Sequence, residues 1–277
     1  SHVLISKNIG IITGSSVREH DKKHILNYID NNTKFKDITD DLACIGIFGP
    51  KSRDLLSEFS NDFFSNDNFP FGKGKYLEID KTKIWFQRLS YVGELGWELY
   101  IPIKDALKIY EQLVTVGKKF DLVHAGAHAM DIMRMEKGYL HWGHDISPAE
   151  NPYEANIGFA VKLNKENNFI GKEYLKANNQ HRKKQLVKFT LYNSEPGKPL
   201  LLHDEPIYLN GKIVGETTSG NFSFCYNKNI AFGYINAEID LKDSNIGNFE
   251  IEVAKNKYKA LIINEPLHDP SNINLKN

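Results

Sequence analysis

The 277-residue chain balances 35 Lys+Arg against 35 Asp+Glu, so its formal net charge is zero. That balance argues against a nucleic-acid partner, which needs a basic excess. Hydrophobic residues at 41% and charged residues at 25% are ordinary for a globular chain, and the length suits one large domain or two.

Only Cys44 and Cys225 occur, far apart. They read as free thiols in a reducing compartment, the cytoplasm, rather than as a disulfide framework. No run of about 18 apolar residues exists, so no membrane span or membrane partner is expected.

In chain order, a strand-like run opens almost at residue 3, and upstream sequence is expected to belong to the same fold. Residues 8–13 read as a strand ending in a Gly-Ser-Ser turn. Residues 18–29 read as an amphipathic helix, with Val17, His24, Ile25, Tyr28 and Ile29 near one face. Residues 41–48 form a strand, and Gly49-Pro50 starts a helix with Leu55, Leu56 and Phe59 inward. Residues 75–79 and 83–92 predict a hairpin around Asp80-Lys81-Thr82. A strand over 97–101 leads to a helix over 105–116 with Gly117 as its stop, then a helix over 127–137 closed by Gly138.

This alternation predicts an α+β fold, with helices packed on mostly antiparallel sheet. A domain boundary is placed so that residues 1–176 form one domain and 177–277 a second. In the second, strands over 185–192, 206–209, 212–215, 230–235, 249–253 and 258–263 predict a small β-barrel or sandwich. Asn210-Gly211 and Lys255-Asn256 supply two of its turns.

Residues 88–163 concentrate glycines, carboxylates and aromatics at turn positions. In YVGELGWE (91–98), Gly93 and Gly96 are expected to take backbone angles that a side chain forbids. Glu94 falls at the turn tip and Glu98 on the next strand. A carboxylate held there can accept two parallel hydrogen bonds from a guanidine-like edge, such as an aminopterin ring. The same residues also fit an ordinary hairpin with solvated glutamates.

All three methionines, Met130, Met133 and Met135, share one predicted helix with Asp131, Arg134 and Glu136. Arg134 reads either as a buried, carboxylate-paired site residue or as half of a structural ion pair. His141, His144 and Asp145, and likewise His20, Asp21 and His24, contain ligand-type residues without a full motif, so no metal is expected. Phe159 can stack on a planar ligand or fill a core. There is no phosphate-cradling glycine loop, no G-x-S-x-G, and no base beside either cysteine.

Six motifs together resemble a known family. They are FGPKSRDLL (48–56), YVGELGWELYIP (91–102), AGAHAMDIMRMEKGYLHWGHDISPAENPYEANIGFAVKL (125–163), FIGKEYL (169–175), GETTSGNFS (215–223) and NIAFGYIN (229–236). They resemble the aminomethyltransferase (glycine cleavage T-protein) superfamily, most of all the tetrahydrofolate domain of dimethylglycine and sarcosine dehydrogenases.

The resemblance implies antiparallel-sheet folate-binding subdomains, a C-terminal β-barrel, and tetrahydrofolate as the cofactor. Glu98 would pair with the pterin edge, Tyr91 would line the pocket, and Phe159 would pack on the folate rings. Glu94 and Arg134 belong to the same implied binding set. The implied activity is transfer of an aminomethyl or formaldehyde-equivalent unit from an amine-derived donor. A flavin-dependent dehydrogenase domain or subunit would be the partner, with no FAD site in this chain.

Two departures accompany the resemblance. Met130 stands where glycine-cleavage enzymes carry a folate-tail arginine. The family's proton-handling aspartate would lie upstream of residue 1, so no general base is assigned. Two alternatives stand beside this reading: a non-catalytic folate-binding module, and a folate-dependent demethylase acting on a sulfonium donor.

Overall fold

The computed structural model describes residues 2–5, 8–60, 64–178, 181–242 and 247–277. They fall into two units, Ser1–Ser90 with Glu94–Val123 and Asn274–Asn277, and Tyr91–Gly93 with His124–Ile273. The fold is α+β, with antiparallel sheets and a closed six-stranded C-terminal barrel. Among the described residues no helix is long and apolar enough to cross a membrane.

In the first unit, β1 (His2–Ile5) and β2 (Asn8–Ile11) form an antiparallel ribbon. Helix α1 (Arg18–Tyr28) buries none of its residues, so the predicted apolar face does not enter a core. Its sequence explains this, because Ile25, Leu26 and Tyr28 are its only apolar members. Arg18 instead anchors the helix start through Asp37 at 2.8 Å and Asp40 at 2.9 Å.

Strands β3 (Leu42–Phe48), β4 (Gly74–Ile79), β5 (Thr82–Gln87) and β6 (Gly96–Pro102) make a sheet in the order β3-β6-β5-β4. The period-two alternation of strands splits their side chains between two faces. Ile47, Ile84, Phe86, Trp97, Leu99 and Ile101 bury one face. Leu55 and Leu56 of α2 (Ser52–Ser57) and Ile109 and Leu113 of α3 (Ala106–Gly117) complete that core.

The β4–β5 turn puts Asp80 and Lys81 at φ 47° and 65°, a two-residue turn that matches strand twist. Strand β5 ends at Gln87, five residues short of the predicted end. Arg88 there turns inward, donating to the Phe69 carbonyl at 2.6 Å and the Lys276 carbonyl at 2.7 Å. The predicted stop at Gly117 also shifts. Gly117 lies within the helix, where a Cβ would meet Leu122 at 2.4 Å, and the left-handed residue is Asp121, at φ 59°.

In the second unit, α4 (Ala127–Glu136) is closed by Gly138 at φ 78°, the left-handed conformation expected of a helix-ending glycine. Helix α5 (Lys172–Ala177) follows. The barrel comprises β7 (Lys184–Leu191), β8 (Pro206–Leu209), β9 (Lys212–Ser223), β10 (Lys228–Asn236), β11 (Phe249–Val253) and β12 (Asn256–Ile262).

Closure in the order β10-β7-β12-β11-β8-β9 leaves no edge strand. Val187, Phe189, Ile207, Ala231, Phe249 and Ile251 fill the barrel. The Asn210-Gly211 turn is as expected. The β11–β12 turn falls on Ala254-Lys255, one residue earlier than predicted. Strand β9 runs eight residues beyond its predicted end at Gly215.

Candidate functional site

Strand β6 turns Gly96, Glu98 and Tyr100 to the face of the sheet opposite the core. Glu98 sits in register between Gly46 of β3 and Gln87 of β5. It is half-buried, and the Tyr100 hydroxyl donates to its Oε2 at 2.5 Å. Burial, and then the hydrogen bond to Glu98 and its charge, push the Tyr100 phenol well above the usual tyrosine range, so it stays protonated as a donor. No described residue donates a hydrogen bond to the other oxygen, Oε1.

Gln87 is oriented by its neighbours. Its Oε1 accepts from Trp85 Nε1 at 3.2 Å and its Nε2 donates to the Gly72 carbonyl at 3.3 Å. Phe48, paired with Gly96, covers both bare glycines on this face. A Cβ at Gly46 would come 2.4 Å from the Phe48 ring, and one at Gly96 would come 2.3 Å from it. Gly96 is therefore needed for packing. Gly93, at φ 79°, is needed for its backbone angle, so the expectation of a special angle holds at Gly93 and not at Gly96.

The sequence reading missed Tyr100 and Phe48. Period two along β6 is the signal for Tyr100, whereas Phe48 shows only once β3 and β6 pair.

Cys44 pairs with Tyr100 on the same face and is a free thiol open to solvent. Crowding by protein, and then the Glu98 charge, push this thiol up to about 11 from 9.0. Because the thiolate is the nucleophile, iodoacetamide at pH 8 is expected to modify Cys44 more slowly than an unperturbed cysteine. Glu98→Gln should speed that modification, as followed by peptide mass spectrometry. Glu94 is half-buried in the bend before β6. The following carbonyl, of Leu95, accepts from Gly49 N at 2.8 Å and Ser52 Oγ at 3.1 Å, which pins the bend to the start of α2.

Tyr91, Arg134 and Phe159 belong to the second unit. Tyr91 is half-buried, donates to the Leu140 carbonyl at 3.0 Å, and stacks on Tyr139 with ring centroids 6.3 Å apart. Phe159 lies on a short turn, Gly158–Ala160, and is 78% exposed, so its ring faces solvent rather than a core. Met130 is exposed on α4.

Arg134 is 1% exposed and nearly all its donors are engaged. Nε bonds Asp131 at 2.9 Å, and Nη1 bonds Asp145 at 2.5 Å and the Tyr139 carbonyl at 3.1 Å. Nη2 bonds Ser219 at 2.8 Å. Asp145, fully buried, also accepts from His141 N at 2.9 Å and Thr218 Oγ1 at 2.6 Å. The Tyr234 hydroxyl donates to its carbonyl at 2.8 Å, and Ser223 bonds Glu136 at 2.5 Å.

The MDIMRMEKGYLHWGHDI stretch thus fastens α4 to β9 and β10. The polar run of β9, which hid it as a strand, is what this clamp uses. The His141 and His144 rings lie 4.6 Å apart, while Asp145 turns inward to Arg134. Among the described residues no group of three or more His, Cys, Asp or Glu is arranged to hold a metal.

The family model described as the GCVT N-terminal domain matches residues 4–165, and that of the glycine cleavage T-protein C-terminal barrel domain matches 184–269. The chain belongs to the glycine cleavage T-protein family. Within that family it is 35% identical to human mitochondrial dimethylglycine dehydrogenase over 262 residues, which is 93% of this chain and 29% of the dehydrogenase. It therefore spans under a third of that relative's length. It is 31% identical over 262 residues to an aminomethyltransferase of Bacillus cytotoxicus, covering 94% of this chain and 69% of the relative. The crystal structure of the glycine cleavage aminomethyltransferase T from Bartonella henselae shares the fold. The TM-score is 0.70 at 21% identity, over 83% of this chain and 60% of that one.

Proposed function

We propose that this T-protein family chain binds tetrahydrofolate and serves as the one-carbon acceptor part of an amine-demethylating system. The observation that carries the reading is Glu98. One of its oxygens is held by Tyr100, the other meets no described donor, and bare Gly46 lies beside it. A carboxylate so held suits a flat edge bearing two N–H donors, because both bonds are charge-assisted and its direction is set before binding. The pterin of tetrahydrofolate has such an edge, and the residues of this face fit it.

When bound, tetrahydrofolate supplies a nucleophilic amine that takes up the one-carbon unit. The chain's own residues bind and orient. Glu98 fixes the pterin edge, Tyr100 fixes Glu98, and Phe48 and Trp85 supply apolar surface that keeps water from those bonds. No proton transfer is assigned to a residue of this chain.

Phe159 and Tyr91, in the second unit, are carried forward as proposed folate-binding residues on motif position alone. Glu94 is carried forward on motif position as well. Arg134 acts by positioning, because its donors are occupied within the unit. An amine-derived donor and a flavin-dependent dehydrogenase domain or subunit are the proposed partners, since a matched relative is named a dimethylglycine dehydrogenase.

Titration calorimetry with tetrahydrofolate, kept reduced, tests the proposal. Loss of two charge-assisted bonds in Glu98→Ala is expected to weaken binding about a hundredfold, or about 2.7 kcal/mol. Undiminished binding in that variant would remove the reading.

A further inference from the structure

The second unit contains a cleft of about 880 Å³ that the folate reading leaves unused. Tyr153, Asn164, Lys162, Lys165 and Arg182 are among its lining residues, which among the described residues include three cations and no carboxylate. In a chain whose charges cancel at 35 and 35, that is a local excess.

The loop that presents these side chains is built by specific bonds. Lys165 N donates to the Lys162 carbonyl at 3.1 Å, closing a turn that carries both lysines. Lys162 Nζ rests on the Phe159 carbonyl at 3.1 Å, and Lys172 Nζ reaches the Lys165 carbonyl at 2.8 Å. The amide of Lys183, next to Arg182, bonds Glu154 Oε1 at 3.1 Å. Tyr153 packs so closely on residue 158 that a Cβ at Gly158 would come 2.8 Å from its ring. Among the described residues no acid forms an ion pair with Lys162, Lys165 or Arg182.

A smaller cleft of about 480 Å³ shares Tyr153 and Arg182 but is also lined by Glu154, Glu238 and Asp240. Its acids disfavour an anion, so the larger cleft is the one that attracts negative charge. Each exposed cation contributes little by itself. A single anionic group would therefore be held weakly, whereas a molecule that engages all three at once sums the contacts.

We propose that this cleft binds a small polyanion, a chain of phosphates or of carboxylates, independently of whether the chain binds folate. The test is calorimetry on the 277-residue chain at low salt, with tripolyphosphate in one arm and tri-L-glutamate in the other. At least one probe should bind, and added salt should weaken it because the cations are exposed. Combined Lys165→Ala and Arg182→Ala should lower its affinity about tenfold, since two of three contacts are removed. Combined Lys34→Ala and Lys118→Ala, which removes the same charge elsewhere, should leave it within about twofold. The tighter probe identifies the anion chemistry. Binding of neither probe, or equal losses in the two double variants, would overturn the proposal.

Discussion

Arg134→Ala is expected to lower stability by about 3–5 kcal/mol, a larger loss than any other change named here. The reason is what remains behind. Asp145 is fully buried and would lose the cation it is paired with, while Ser219 would lose a hydrogen bond from Nη2. Urea unfolding followed by tryptophan fluorescence or circular dichroism measures the loss.

Arg134→Lys should recover little, because a lysine cannot span Asp131, Asp145 and Ser219 from one planar fork. Arg134→Ala combined with Asp145→Asn should be more stable than the sum of the single changes, because the stranded charge is gone. Additive losses would show that the two side chains are not coupled as described.

Gly96→Ala carries the second large effect, about 2–3 kcal/mol by overpacking. The added methyl would lie 2.3 Å from the Phe48 ring and 2.5 Å from the Ile47 carbonyl. The ring can rotate, but the carbonyl belongs to β3 and moves only with the strand. Since β3 and β6 pair through Gly46 and Glu98, the strain reaches the carboxylate. The variant should therefore lose stability in urea and also weaken folate binding. Gly126→Ala has nothing within 4 Å of its added methyl, so it should leave folate binding unchanged and lose only the about 0.5–1 kcal/mol of an alanine at the start of α4, which makes it the control.

Much of the fold could be read from local pattern. The Asp80-Lys81 and Asn210-Gly211 turns, the alternation along β5 and β6, and the Gly138 helix end all follow from short stretches of residues. What could not be read depends on distant partners. Arg134 finds Ser219 85 positions later, and the polar run of β9 is a strand because its Ser219 and Ser223 are buried against α4. Phe48 meets Gly96 only across the β3–β6 pairing. The apolar residues of α1 resemble a buried face, but the helix carries too few of them to bury one.

The candidate site divides in the same way. Glu98 stands out from its place after two glycines, and Tyr100 follows from strand period, while the roles of Phe48 and Arg134 needed the packing.

The central claim is that Glu98 receives the amino edge of a pterin, and it is tested by removing that edge from the ligand as well as the carboxylate from the protein. Calorimetry would compare tetrahydrofolate with its 2-desamino analogue, in the unaltered chain and in Glu98→Ala. The unaltered chain should prefer tetrahydrofolate by about tenfold or more, or about 1.4 kcal/mol, and the variant should bind both ligands within about twofold. The same preference in both proteins would contradict the claim, because the discrimination would then come from somewhere other than Glu98.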